Sequence, residues 1–123
     1  MITILICVYN DVAHIERAVR SCLNQTLPKT DYEILVVDDG STDDTPEALR
    51  RLPVRVVTLP ENKGLGYACN VGVREARGQF IVRVDSDDYV SEHLLFIQSL
   101  YLRENKEIPA VACDYQLVDE DEN

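Results

Sequence analysis

The feature that most constrains the fold of this chain is the repeated change of period in its apolar residues. Ile2 to Tyr9, Glu33 to Val37, Val54 to Leu59 and Phe80 to Val84 are short runs dominated by branched apolar side chains. Such runs, with no clean alternation, are the pattern of strands covered on both faces, as in a parallel sheet. Between them the spacing becomes helical. Val12, Ile15, Val19, Cys22 and Leu23 predict a helix from Asp11 that closes before Asn24 to Pro28. Thr45-Pro46 to Leu52 predicts a second, with proline where a helix accepts it, in the first turn. Leu65 to Ala76 predicts a third, stopped by Arg77-Gly78, and Ser91 to Glu104 a fourth. Ala110 to Leu117 reads as a fifth strand at a sheet edge. Strands alternating with helices across short loops give an α/β fold: an open, doubly wound, mainly parallel sheet with helices on both faces and right-handed crossovers. The 123 residues suit one domain, read as 1–118 with an acidic tail at 119–123.

Charge narrows the partners. Twenty-two acidic against twelve basic residues leave a formal charge of −10, so nucleic acid or an anionic membrane would be repelled over most of the surface. An anionic ligand would then need a cation between itself and the protein. No apolar run approaches the roughly 20 residues of a membrane-spanning helix. The apolar start, Met1 to Tyr9, lacks a basic region before it and a small-residue cleavage site after it, so a secretory leader is not expected. Cys7, Cys22, Cys69 and Cys113 are widely spaced among apolar neighbours, which predicts buried thiols in a reducing, cytoplasmic setting, with a disulfide pair as the minority alternative.

The polar clusters fall where a parallel sheet would bind a ligand. Tyr9-Asn10, Asp38-Asp39, Asn62-Lys63-Gly64 and Asp85-Ser86-Asp87-Asp88 each follow a strand, and parallel strands all exit on one edge. Asp85, Asp87 and Asp88 would repel one another unless a cation sat among them, and an all-oxygen donor set points to Mg2+ or Mn2+. The plain alternative is an Asx turn at Asp85 or Asp88. Arg83 is either a partial neutraliser of the cluster or an ordinary surface arginine. Asp39 can accept from a base or a ribose, Asp38 can be read as a phosphoryl-accepting nucleophile, and both can be simple turn residues. Asn62-Lys63-Gly64-Leu65-Gly66 would bring backbone N–H groups to a helix N-terminus, a natural anion site, but has neither P-loop nor dinucleotide-fingerprint spacing. Tyr9 either stacks on a base or is buried with its hydroxyl satisfied. His14 and His93 are isolated and read as surface residues.

Taken together, Val8-Tyr9-Asn10, Val36-Val37-Asp38-Asp39-Gly40-Ser41-Thr42-Asp43, Asn62-Lys63-Gly64, Asn70-Val71-Gly72, Ala76-Arg77-Gly78 and Val84-Asp85-Ser86-Asp87-Asp88 resemble glycosyltransferase family 2, inverting enzymes of the GT-A fold. The resemblance covers almost the whole chain, in the family's order and spacing. It implies a nucleotide-diphosphate sugar donor, most often a UDP-sugar, with Mg2+ or Mn2+ at the D-x-D motif. It implies base contacts from Tyr9 and Asp39, and ribose and metal-diphosphate contacts from Asp85, Asp87 and Asp88. Asp38, Asn62 and Gly64 join the donor-binding set. The general base that would deprotonate the hydroxyl of a carbohydrate or lipid-linked acceptor is expected downstream of Asn123, so no catalytic base is assigned within the span. The proline common shortly after D-x-D is absent, with Ser91-Glu92-His93 in that region. The open sheet edge makes a homodimer an expectation, and the enzyme would work in the cytoplasm or peripherally at a membrane. Two other classes compete. One is a non-catalytic nucleotide-sugar-binding module. The other is an aspartate-based phosphotransferase or receiver-like domain built on Asp38.

Overall fold

The computed structural model describes residues 1–122. Four strands, β1 (Ile2–Val8), β2 (Tyr32–Asp38), β3 (Arg55–Thr58) and β4 (Phe80–Asp85), form one parallel sheet in the order β3-β2-β1-β4. They alternate with helices α1 (Ile15–Leu23), α2 (Thr45–Arg50), α3 (Leu65–Glu75) and α4 (Leu94–Glu104). The register pairs Ile6 with both Val36 and Val84, and Cys7 with both Val37 and Asp85, so the strands end almost level.

Strand alternation divides the core in two. Ile4, Ile6, Val36 and Val84 face one side and pack with Ile15, Val19 and Cys22 of α1, Leu49 of α2 and Leu95 of α4. Leu5, Leu35 and Val37 face the other side and pack with Ala68 of α3 and with Leu59. The chain therefore steps outward twice with helices on one face. It then crosses behind the sheet through α3 and re-enters on the far side of β1. That reversal makes the junction of β1 and β4 the topological switch point, where open α/β sheets place their ligands. Gly72 permits the crossing: a Cβ there would run into the Leu5 side chain, so only glycine lets α3 lie this close to β1.

The α/β architecture, its parallel sheet and all four helices agree with the sequence reading, with three differences. Asp11 to His14 forms a turn, not the first turn of α1, because the Asp11 carboxylate is taken by Ser86 and His14 while the Val12 N–H is directed to Asp43. Likewise Ser91 to His93 is a turn closed by the Leu94 N–H on the Ser91 carbonyl, and α4 starts after it. The largest correction concerns Ala110 to Leu117, which is not a strand. Its side chains suit a sheet, but no described strand pairs with it, and Tyr115 and Leu117 are each 87% exposed. Apolar composition supplies propensity, whereas a strand also needs a hydrogen-bonding neighbour.

The cysteines differ from expectation as well. Cys22 is buried, and burial pushes its thiol up to about 11. Cys113 is exposed, carried by the same unpaired segment. Cys7 and Cys69 are half-buried with sulfurs 3.6 Å apart.

Candidate donor-binding site at the carboxyl edge of the sheet

All four polar clusters meet along one rim, and hydrogen bonds tie them together. The Asn10 backbone is left-handed, at φ 47°, which turns its side chain toward the loop after β2. There Asn10 Oδ1 accepts from the backbone N–H groups of Thr42, at 2.7 Å, and Asp43, at 3.2 Å. The Ser41 hydroxyl in turn accepts from Asn10 N at 2.9 Å. Ser86 Oγ donates to Asp11 Oδ2 at 2.8 Å, joining the loop after β4 to the loop after β1.

Asp39 links β2 to the loop after β3. It is only 3% exposed, and its carboxylate accepts from Lys63 N and Gly64 N, both at 2.8 Å, and from Asn62 Nδ2 at 3.0 Å. Asp39 thus takes the N–H groups just ahead of α3, so the protein's own carboxylate occupies the loop after β3. Gly40 makes the pairing possible. Its φ is +71°, and a Cβ would come within 2.5 Å of the Glu61 backbone, so the two loops touch only because that position lacks a side chain.

Asp38 is fully buried: Oδ1 accepts from Ser41 N at 3.0 Å, and Oδ2 has no partner. A carboxylate closed off in this way cannot be approached by a phosphoryl donor. The phosphotransferase reading built on Asp38 is therefore set aside.

Between β1 and β4 the rim opens into a cleft of about 440 Å³. Tyr9, Asp85 and Asp87 line it, as does Arg83. Tyr9 is 47% exposed, so its ring is a surface platform and the buried alternative does not hold. Arg83 and Asp85, two residues apart on one strand, project to the same face, and Arg83 Nη2 lies 2.7 Å from Asp85 Oδ1. The partial neutraliser foreseen for the cluster is real and acts on Asp85. Asp87 and Asp88 sit on the exposed turn beyond, closed by the Asp88 N–H on the Asp85 carbonyl. The Asp88 carboxyl is pushed above its ordinary range by desolvation, then by the charges of Asp87 and Asp85, with Arg17 opposing.

A dication would relieve that crowding, and the donor set is all oxygen, as Mg2+ and Mn2+ prefer. Among the described residues no three carboxylate, histidine or cysteine groups converge closely enough to hold a metal alone. The residues present therefore fit a metal only in company with a ligand that contributes oxygens of its own.

His14 was legible only as a surface residue, yet it borders the cleft with Nδ1 2.7 Å from Asp11 Oδ1, while His93 is exposed beside Glu92. Cys7 and Leu65 also reach the cleft, without a signal in the sequence beyond their place at strand and helix ends.

The geometry has counterparts among known proteins. Chondroitin synthase of Escherichia coli is 39% identical over 122 residues, covering 94% of this chain and 17% of that protein. Poly(ribitol-phosphate) beta-N-acetylglucosaminyltransferase TarS of Staphylococcus aureus is 33% identical, covering 84% of this chain and 19% of that one. The chain thus spans a fifth or less of the length of these two relatives. The crystal structure of TarS residues 1–349 in complex with UDP-GlcNAc superposes with a TM-score of 0.80 at 33% identity, over 85% of this chain and 32% of that one. A mannosyltransferase of Pyrobaculum calidifontis, in complex with GDP-Man and Mn2+, superposes at 0.77 with 30% identity, over 82% of this chain and 32% of that one. No helix among the described residues is long and apolar enough to cross a membrane. The sequence profile of glycosyl transferase family 2 matches residues 3–123, and with that match, these relatives and the shared GT-A architecture, the chain belongs to glycosyl transferase family 2.

Proposed function

We propose that the chain is the donor-binding part of a glycosyltransferase, and that the cleft between β1 and β4 takes a UDP-sugar together with Mg2+ or Mn2+. One observation carries this reading: a half-exposed aromatic ring, a guanidinium and two carboxylates, from Tyr9, Arg83, Asp85 and Asp87, surround a single opening at the switch point. Tyr9 offers its face to the base. Arg83 offers donors to phosphate oxygens. Asp85 and Asp87, with Asp88 beside them, are the residues that would hold the dication, the diphosphate completing its coordination. When bound, that ion neutralises the charge that builds on the departing diphosphate.

Asp38, Asp39, Asn62 and Gly64 do not line the cleft; they brace the loops after β2 and β3 beside it. Asp39 acts chiefly by fixing the loop after β3, since three donors already occupy its carboxylate. Transfer with inversion to a carbohydrate or lipid-linked hydroxyl further requires a carboxylate base. TarS with UDP-GlcNAc supports the choice of uridine, and the Mn2+-bound mannosyltransferase supports the choice of ion. A second reading is that these residues bind the donor without turning it over.

Calorimetric titration with UDP, GDP and ADP, each with and without Mn2+, tests the proposal on the wild type and Asp87→Ala. UDP binding that requires Mn2+ and is lost in Asp87→Ala is expected. Equal binding by both proteins would remove the aspartates from the site. Binding without transfer from a labelled UDP-sugar, with acceptor present, would select the second reading.

A further inference from the structure

We propose that a polar stripe on α1 and the residues just after it, Arg17, Ser21 and Gln25, positions the Asp85–Asp88 loop for its cation, an inference that rests on the donor-binding reading above. The three residues recur at four-residue spacing, which places them on one side of the helix. Each one engages the segment that leaves β4. Arg17 Nη2 donates to the Asp87 carbonyl at 3.2 Å, and its guanidinium lies 4.8 Å from the centre of the Tyr89 ring. Ser21 Oγ accepts from Val90 N at 3.0 Å. Gln25, 7% exposed, accepts from Leu95 N at 3.1 Å and donates to the Ser91 carbonyl at 2.9 Å. Thr26 N adds a bond to the Glu92 carbonyl at 2.9 Å.

The loop itself is a short turn with exposed aspartates, so the rigidity a cation site needs must come from outside it. Helix α1 can supply that rigidity, because Ile15, Val19 and Cys22 anchor its opposite side in the larger core. Arg17 has a second effect: it places a positive charge against a loop of three aspartates and orients the peptide that joins Asp87 to Asp88. None of the three residues lines the cleft between β1 and β4, so they are positioning residues and not ligands.

The test compares Arg17→Met, Arg17→Lys and Ser21→Ala with the wild type, using UDP and Mn2+ as the probes. It reads the Mn2+ concentration for half-maximal UDP binding, the thermal unfolding temperature, and hydrogen exchange at the Val90 amide. Arg17→Met is expected to need about tenfold more Mn2+, the usual cost of losing an outer-shell partner, yet to bind UDP with wild-type stoichiometry once Mn2+ is saturating. Arg17→Lys, which keeps a cation and a donor, should recover most of that loss. Ser21→Ala should shift the same midpoint in the same direction and exchange faster at Val90. Should Arg17→Met not fold, Arg17→Lys and Ser21→Ala decide the comparison. A wild type that binds UDP with Mn2+, alongside variants whose Mn2+ midpoints match it, overturns the positioning role alone. A wild type that fails to bind UDP at any Mn2+ concentration overturns the donor-binding reading, and the positioning role falls with it.

Discussion

At the scale of single residues, the carboxylates after β4 are crowded at a cost in stability. The Asp88 carboxyl lies above its ordinary range, chiefly through desolvation and then through repulsion from Asp87 and Asp85. A raised carboxyl holds its proton more tightly in the folded chain, so its ionisation costs stability as pH rises past the ordinary aspartate value. Asp88→Asn should therefore raise the unfolding temperature of the metal-free protein at neutral pH, leave it unchanged in acid, and weaken Mn2+-dependent UDP binding. Melting curves at pH 7 and pH 3 with a parallel Mn2+ titration check all three. Gly40→Ala should act at the same rim from a different direction. A left-handed backbone and a collision with the Glu61 backbone should cost about 2 kcal/mol and loosen the Asp39 contact with the loop after β3, measured by denaturant unfolding and by faster exchange at the Gly64 amide. The aspartates themselves were legible in the sequence because they follow strand ends. What was not legible is the division of labour among them. Asp38 and Asp39 are buried while Asp85 and Asp87 line the cleft, a difference set by which loops close over which strand and not by residue type.

At the scale of elements, the opposite end of the sheet carries a latch that keeps α3 on β1 and β2. Glu33 accepts from Thr3 Oγ1 at 2.7 Å and from Arg77 N at 2.8 Å, with Arg55 Nε at 3.4 Å. Arg55 also donates to the carbonyl of Glu75 in the last turn of α3. Burial opposes ionisation of Glu33, but these N–H and O–H donors and the arginine charges prevail and hold its carboxyl below the usual range. A depressed carboxyl adds stability above its ordinary pKa and loses it as pH falls through the depressed value. Glu33→Gln should thus lower stability by about 2 kcal/mol at pH 7, with the gap to the wild type closing toward pH 3 in urea titrations. The four helices and the parallel strands could be read from period alone, since each buries an apolar face of its own. Helix starts could not, because Asp11 and Ser91 are drawn into bonds with partners distant in sequence or into local turns. The fifth strand failed for the related reason that ladder partners are invisible in a local pattern.

At the scale of the whole molecule, the sheet stops at β4 with apolar surface uncovered. Phe80 and Ile81 on the strand, and Phe96, Ile97 and Leu100 on α4, are each at least 40% exposed. Exposed apolar side chains such as Phe96 and Ile97 on α4 favour association. Phe96→Lys with Ile97→Lys should reduce any concentration-dependent association in sedimentation velocity while leaving Mn2+-dependent UDP binding intact. The chain spans a fifth or less of the two relatives, and the donor-binding proposal rests on the carboxyl edge of its sheet. The most direct measurement there is paramagnetic broadening of amide resonances by Mn2+ in the presence of UDP. Signals of Ser86 to Tyr89 and of Tyr9 and Asn10 should disappear first, while Thr3, Glu33 and Arg77 at the far end stay sharp. Broadening centred on the acidic residues after Val118, or spread evenly over the acidic surface, would contradict a donor held between β1 and β4.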